Sequence, residues 1–162
     1  MDRAVGVRTA IAIGSNTGDR RQAIAFALER LASVLTDLTV SSLIETEPEG
    51  AGLGDQPLYL NAVVVGQTAL GPRELLDVLQ AIEEAFGRER PYPNAPRTLD
   101  LDLILLGSAL LDAPGLQVPH PRFRDRFFVL GPLAEVAPDM PDPLTGLRAW
   151  ELLRNLLANE AR

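Results

Sequence analysis

Residues 96–103 of the chain read Pro-Arg-Thr-Leu-Asp-Leu-Asp-Leu, and the alternation of polar and apolar residues in the second half of this block predicts a strand. Successive side chains of a strand point to opposite faces, so Asp100 and Asp102 share one face while Leu99, Leu101 and Leu103 take the other. Two carboxylates held this close repel each other, and ionising both requires positive charge beside them. Either a divalent cation or neighbouring arginines in a structural ion-pair network would supply it. Oxygen donors without cysteine or clustered histidine suit Mg2+ better than Zn2+. Mg2+ takes one or two carboxylates and completes its octahedron with water and substrate phosphates.

The basic residues point the same way. All 15 are arginine, and six of them (Arg88, Arg90, Arg97, Arg122, Arg124 and Arg126) fall between positions 88 and 126. A guanidinium fork matches phosphate oxygens, while the absence of lysine excludes a P-loop, whose glycines are followed by one. Arginines beside a carboxylate pair imply a metal-nucleotide. The one histidine, His120, stands between Pro119 and Pro121 just before three of those arginines. It is either structural or a donor to a phosphate oxygen; a second histidine that would favour metal ligation is missing. Gln56, Tyr59 and Asn61 offer amide and aromatic groups for a planar heterocycle. Phe127 and Phe128 read, on their own, as core. The Gly14 to Gly18 cluster has the spacing of neither a dinucleotide nor a P-loop fingerprint and reads as a strand-to-helix turn.

The elements that must position these groups follow from periodicity. A first strand is expected at 9–13, then a helix beginning near Asp19 with Ile24, Ala27, Leu28 and Leu31 on one face. A second strand is expected at 38–46, a Gly- and Pro-containing loop at 47–57, and a third strand at 58–68. Pro72 suits the first turn of a second helix, whose apolar stripe runs from Leu75 to Phe86 and for which Gly87 reads as the stop. Gln80 and Glu83 flank that stripe and either face solvent or point at the arginine-bearing loop, 88–97. A fourth strand at 99–106, short elements and a C-terminal helix at 147–159 complete the chain. The order βαββαβ predicts an α+β ferredoxin-like sandwich, an antiparallel sheet with two helices on one face, plus a C-terminal extension.

Composition narrows the function classes. With 162 residues, 46% hydrophobic, a single domain spanning 1–162 is expected. A net charge of -7 argues against nucleic acid or an anionic membrane as partner. The apolar stretches fall short of the roughly 20 residues of a membrane span, and no signal pattern opens the chain, so a cytoplasmic location is expected. The absence of cysteine removes disulfides, thiolate zinc sites and thiol nucleophiles.

Several blocks, in order, resemble the 6-hydroxymethyl-7,8-dihydropterin pyrophosphokinase family over nearly the whole length. They are Ala12-Ile13-Gly14-Ser15-Asn16, Asp55-Gln56-Pro57 with Tyr59-Leu60-Asn61, Gly87-Arg88-Glu89-Arg90, the block from Pro96 to Asp102, Val118-Pro119-His120-Pro121, and Arg126 with Phe128. The resemblance implies transfer of the β,γ-pyrophosphate of ATP to the hydroxymethyl group of a reduced pterin, with release of AMP. It implies that Asp100 and Asp102 hold two Mg2+ ions and that Arg88 and Arg97 are catalytic and contact the ATP phosphates. It also places Gln80, Glu83, Leu103, His120 and Arg126 on the ATP side. For the pterin it implies Thr46, Tyr59, Asn61 and Phe128, with two aromatic rings sandwiching the ligand and the asparagine bonding its edge. The expected partners are therefore ATP and the pterin, bound by a monomer. Two departures stand out: residues 91–95 lack the tryptophan that members often carry there, and Gly115 replaces a basic contact found in some members. Two rival readings are a non-catalytic nucleotide- or pterin-binding module and a metal-dependent phosphohydrolase. Pterin-dependent AMP release separates both from a pyrophosphokinase.

Overall fold

The computed structural model describes residues 6–47, 58–88 and 99–160. Arg90 and Arg97 lie outside the described residues, as do Gln56 and all but the first residue of each expected loop; Arg88 ends a helix, with its side chain undescribed.

Strand β1 (Val7–Ser15) is the centre of the sheet. It pairs antiparallel with β4 (Tyr59–Thr68) on one side and with β5 (Asp100–Leu106) on the other. Beyond β4 lie β2 (Thr36–Val40) and β3 (Ile44–Thr46), giving the order β2-β4-β1-β5 with β3 also on β4. Helices α1 (Arg20–Leu31) and α2 (Pro72–Arg88) cover one face, and α3 (Phe127–Val136) and α4 (Ala149–Glu160) belong to the other. Alternation along the strands sorts the side chains. Ile11, Ile13, Val64, Leu101 and Leu103 pack with Ile24, Leu31, Leu75 and Leu79 of the first pair of helices. Ala10, Val63, Val65 and Leu105 pack with Val129, Leu130, Leu133 and Leu152 of the second pair. Burial of these large side chains, at roughly 25 cal/mol per Å2 of apolar surface, is the main term holding the layers together. Among the described residues no helix is long and apolar enough to cross a membrane.

The structure modifies the expected element order in four places. The strand expected at 38–46 is two strands, because residues 41–43 stand opposite only Ala62 and Val63 of β4. Ser41 mends the break: its amide donates to the Val63 carbonyl at 2.9 Å, and its hydroxyl accepts from the Val63 amide at 2.9 Å. Gly87 does not end α2, which continues to Arg88. The extension contains a ten-residue helix, α3, across Gly131 and Pro132, two residues that normally discourage a helix. Gly131 leaves room for the Phe127 ring, whose Cζ would lie 3.1 Å from a Cβ there. The fourth change is a bulge in β5. Ala10 pairs with Leu105 but Ile11 pairs with Leu103, leaving Ile104 as the extra residue.

The second face is fastened by a buried ion pair. Arg124 donates to both Asp142 oxygens, at 2.6 and 2.9 Å, and Asp142 also accepts from the Thr145 hydroxyl at 2.8 Å and the Leu144 amide at 3.0 Å. One member of the arginine cluster is thereby committed to structure. Burial alone would raise the Asp142 pKa, but the Arg124 and Thr145 bonds, the Leu144 amide and the guanidinium charge outweigh it and hold the carboxyl below its ordinary range. With a depressed folded value, the stabilisation is complete above the unfolded pKa of about 3.9 and is lost as pH falls through the folded value. Asp142→Ala is expected to cost about 3 kcal/mol at pH 7 by leaving a buried guanidinium without its partner. Denaturant unfolding at pH 7 and at progressively lower pH checks this, with the gap between mutant and wild type closing in acid.

Candidate active site

The face carrying Asp100 and Asp102 is the one covered by α3, and the register aligns the functional side chains in rows across it. Gly14 of β1 pairs with Asn61 on one side and with Asp100 on the other; Ala12 pairs with Val63 and Asp102. On the outer side Thr46 of β3 pairs with Tyr59 of β4. Directly paired residues share a face, so Tyr59, Asn61, Gly14, Asp100 and Asp102 converge on one end of the sheet. The small residues Ala12 and Gly14 leave a hollow there. It is a cleft of about 370 Å3, closed from above by Arg126 and by Phe128 and Val129 of α3.

All four expected pterin residues, Thr46, Tyr59, Asn61 and Phe128, line this one cleft together with both aspartates. Asn61 is 5% exposed, and its amide nitrogen donates to the Thr46 hydroxyl at 2.8 Å and to the Ile44 carbonyl at 3.4 Å. These bonds orient the amide before any ligand arrives, with its oxygen towards Gly14. Arg126, expected on the ATP side, lies in this cleft, its guanidinium 5.6 Å from the centre of the Phe128 ring. Arg20, at the start of α1, reaches the mouth of the β3–β4 pair, donating to the Leu58 carbonyl at 2.9 Å and to Glu45 at 3.3 Å.

A second, more open cleft of about 290 Å3 lies beyond β5 and is lined by Asp102, Leu103, Gly115, Gln117 and His120 among others. Asp102 therefore faces both hollows. A hairpin of β6 (Leu111–Ala113) and β7 (Leu116–Val118) forms one wall. His120 is fixed by its backbone amide, which donates to Ile104 at 2.9 Å, and by Nδ1, which accepts from the Arg122 amide at 3.1 Å. Gln80 is on the exposed side of α2 and lines neither cleft. Glu83 turns inward, accepting from the Leu101 amide at 2.8 Å, and so ties α2 to the strand between the two aspartates.

The electrostatics are those of an anionic cluster. Desolvation, then repulsion from Asp102, raises the Asp100 pKa, while a hydrogen bond from the Tyr59 hydroxyl partly offsets both. Burial raises Tyr59, helped by the Asp100 charge and by that hydrogen bond. Glu83 is also raised, first by burial and then by both aspartates, against the lowering effect of the Leu101 amide. Such a site attracts cations. Among the described residues no group of three or more metal-binding side chains is gathered to enclose an ion. The pair instead offers hard oxygens on an open face, a donor set suited to Mg2+ that keeps water and phosphate ligands.

The sequence singles out the aspartates, the expected pterin set, Leu103 and His120, each of which lines one of the two clefts, but not Ala12 and Gly14, which form the floor of the first. The signal for the floor was present in the run Ala10-Ile11-Ala12-Ile13-Gly14, where large residues alternate with small ones.

The described site is an aromatic-lined cleft opening on a carboxylate pair, and comparison with known proteins supplies the family. Residues 10–138 match the model of the 7,8-dihydro-6-hydroxymethylpterin-pyrophosphokinase family. The chain is 46% identical over 139 residues to the 2-amino-4-hydroxy-6-hydroxymethyldihydropteridine pyrophosphokinase of Pseudomonas aeruginosa, covering 84% of each chain. It is 41% identical over 152 residues to the protein of the same name from Bacillus subtilis, covering 87% of this chain and 89% of that one. The crystal structure of wild-type Plasmodium falciparum HPPK-DHPS superposes with a TM-score of 0.71 at 14% identity, over 96% of this chain and 45% of that one. The chain thus spans less than half of that longer protein, with which it shares the fold. The chain belongs to the 7,8-dihydro-6-hydroxymethylpterin-pyrophosphokinase family.

The repulsion within the aspartate pair is directly testable. Asp102→Asn in metal-free protein should move the carboxyl titration of Asp100, followed by NMR, downward towards the ordinary range. An unchanged midpoint would mean that burial alone raises it.

Proposed function

We propose that this chain transfers the β,γ-pyrophosphate of ATP to the hydroxyl of 6-hydroxymethyl-7,8-dihydropterin, giving the pterin diphosphate and AMP, as a step of folate synthesis. The observation that carries this reading is the position of Asp102 between two clefts, one lined by Tyr59, Asn61 and Phe128 and the other by Leu103 and His120. A transferase needs two adjoining ligand sites with a charge-handling group at their junction. A phosphohydrolase has no use for the aromatic cleft, and a binding module has none for the carboxylate pair.

The pterin enters between Tyr59 and Phe128, whose rings give it two stacking faces. Asn61, already oriented by Thr46 and Ile44, accepts a hydrogen bond from the ligand's N–H edge. The nucleotide occupies the second cleft, with its base and ribose against Leu103 and the hairpin and a phosphate oxygen accepting from His120. Arg126, on the pterin side, reaches the transferred phosphates. Asp100 and Asp102 would hold two Mg2+ ions, which when bound neutralise the phosphates and lower the pKa of the pterin hydroxyl. Arg88 and Arg97, from the chain leaving α2 and the block before β5, contribute positive charge to the transition state. What the protein does in such an in-line displacement is chiefly positioning and charge stabilisation. The nucleotide role for Gln80 falls to its amide at the edge of α2, while Glu83 acts from beneath by holding Leu101.

The strand order β2-β4-β1-β5, with α1 and α2 as crossovers on one face, supports a ferredoxin-like core to which α3 and α4 add a second helical layer. One domain, acting as a monomer, is part of the same proposal.

The test is AMP release from ATP and Mg2+ with and without 6-hydroxymethyl-7,8-dihydropterin. AMP is expected only when the pterin is present; pterin-independent AMP or ADP would establish hydrolysis instead. Asp102→Ala is expected to lower kcat by about 1,000-fold, the effect of losing a charge-stabilising group at a reacting centre, with the unfolding midpoint preserved. Asn61→Ala should raise the KM for the pterin by about 10-fold or more and leave that for ATP near its original value.

A further inference from the structure

Strand β3 has little backbone pairing to hold it. It is three residues long, and among the described residues it pairs with β4 alone, Ile44 with Asn61, Glu45 with Leu60 and Thr46 with Tyr59. Short edge strands open readily. Yet the last of these pairs joins two residues of the pterin cleft, and the Thr46 hydroxyl is the group to which the buried Asn61 amide donates. Arg20 reinforces this corner from the other face of the sheet. Glu45 alternates with Ile44 and Thr46 and pairs with Leu60, which is buried in the layer under α1 and α2, so its side chain lies on the side away from the cleft. There one nitrogen of the Arg20 guanidinium, Nη1, donates to Glu45 Oε2 at 3.3 Å and to the Leu58 carbonyl at 2.9 Å. The two acceptors belong to the residues immediately before Thr46 and Tyr59, and Arg20 itself lines neither cleft. Its place on α1 adds to the case. Asp19 caps the helix by accepting from the Gln22 amide at 3.0 Å, and Arg20 is the first helical residue. The helix dipole disfavours a cation at that end, so the arginine stands there at a cost to α1 that its bonds to β3 and β4 offset.

We infer that Arg20 is a positioning residue for the pterin: from beneath the sheet it ties β3 to the start of β4 through Glu45 and the Leu58 carbonyl, and so holds Thr46 and Tyr59 together at the cleft. The inference rests on the function proposed above and adds to it a residue outside both clefts. Glu45 is 52% exposed, so the ion pair is screened and contributes little to the stability of the whole protein. Its effect is local. The guanidinium is carried by a capped helix whose Ala23, Ile24, Ala27 and Leu31 are buried, and it refers the β3–β4 corner to that core. Without it the Thr46–Tyr59 pair frays and the Asn61 amide is no longer held by Thr46. Ligand binding then has to order these groups as well, which weakens it. The second cleft is lined by no residue of β3 or β4 and keeps its shape.

The test compares wild type with Arg20→Ala, Thr46→Ala and the double variant, each well below its unfolding midpoint. Pterin affinity is measured by fluorescence titration with Mg2+ and a nonhydrolysable ATP analogue, analogue affinity by calorimetry, and kcat and KM by AMP release. Arg20→Ala should lose about fivefold in pterin affinity, with a matching rise in the KM for pterin and analogue affinity within about twofold of wild type. Because both substitutions loosen the same corner, the double variant should lose little more than the worse of the two single ones. Should Arg20→Ala not fold, Glu45→Ala takes its place in the same comparison, with an expected loss of about threefold. Wild-type pterin affinity in the variant would overturn the inference. So would an equal fall in affinity for both ligands, the mark of a merely structural role, or losses that simply multiply in the double variant. If wild type itself neither binds pterin nor releases AMP, the proposed function fails; if wild type is active and the variants bind pterin as well as it does, only the role of Arg20 does.

Discussion

Everything at the site depends on the register of β1 between its two neighbours. Gly14 has to stand opposite Asn61 and Asp100 at once, and Ala12 opposite Asp102, for the amide, the phenol and the carboxylates to meet over a hollow. A slip of one residue would turn each of these side chains to the opposite face of the sheet, into the layer filled by α1 and α2. The burial pattern prevents it. Ile11 and Ile13 are essentially inaccessible on the helix-covered side, and moving them would expose large apolar surface on one face and force carboxylates into the other. The core therefore fixes the site as much as it stabilises the fold.

The same sheet solves a problem of charge. An acidic protein of net charge -7 is expected to bind a highly anionic nucleotide. The structure separates the signs rather than mixing them. Asp100 and Asp102 project from the sheet, Arg126 approaches from the opposite side of the cleft, and Glu83 is drawn inward by the Leu101 amide. The pKa values of Asp100 and Glu83 are raised first by burial and then by repulsion among the three carboxylates, the part that a cation relieves. Arg124, by contrast, is neutralised by Asp142 and belongs to the scaffold.

The sequence disclosed the site residues more readily than the architecture around them. Alternation placed Asp100 and Asp102 on one face because that half of β5 is regular. It said nothing of the bulge, because Ile104, Leu105 and Leu106 are all apolar and carry no period. The pause at residues 41–43 was invisible for a similar reason: Ser41 replaces a ladder bond with a hydroxyl, and Leu43 and Ile44 keep the segment looking like a strand. Helix α3 was hidden by Gly131 and Pro132, whose propensities oppose a helix that packing against the sheet stabilises. Thr46, Phe128 and His120 were singled out as site residues only through family resemblance, since each is an ordinary residue until the fold brings it into a cleft shared with the aspartates.

The placement of α3 also bears on how the protein comes into being. The sheet, both aspartates, Tyr59 and Asn61 are all contributed by residues before 107, yet Phe128 and Val129, which close the cleft, and Leu130 and Leu133, which cover the second apolar face, come later. A nascent chain emerging from a ribosome in that interval would carry most of the chemistry on a sheet with Val63, Val65 and Leu105 bare on one side, a surface open to aggregation or to a chaperone. Helix α3, with α4 beside it, covers that surface, and α3 supplies the Phe128 side of the pocket. Covering that face and closing the cleft are thus tasks of the same late stretch of chain.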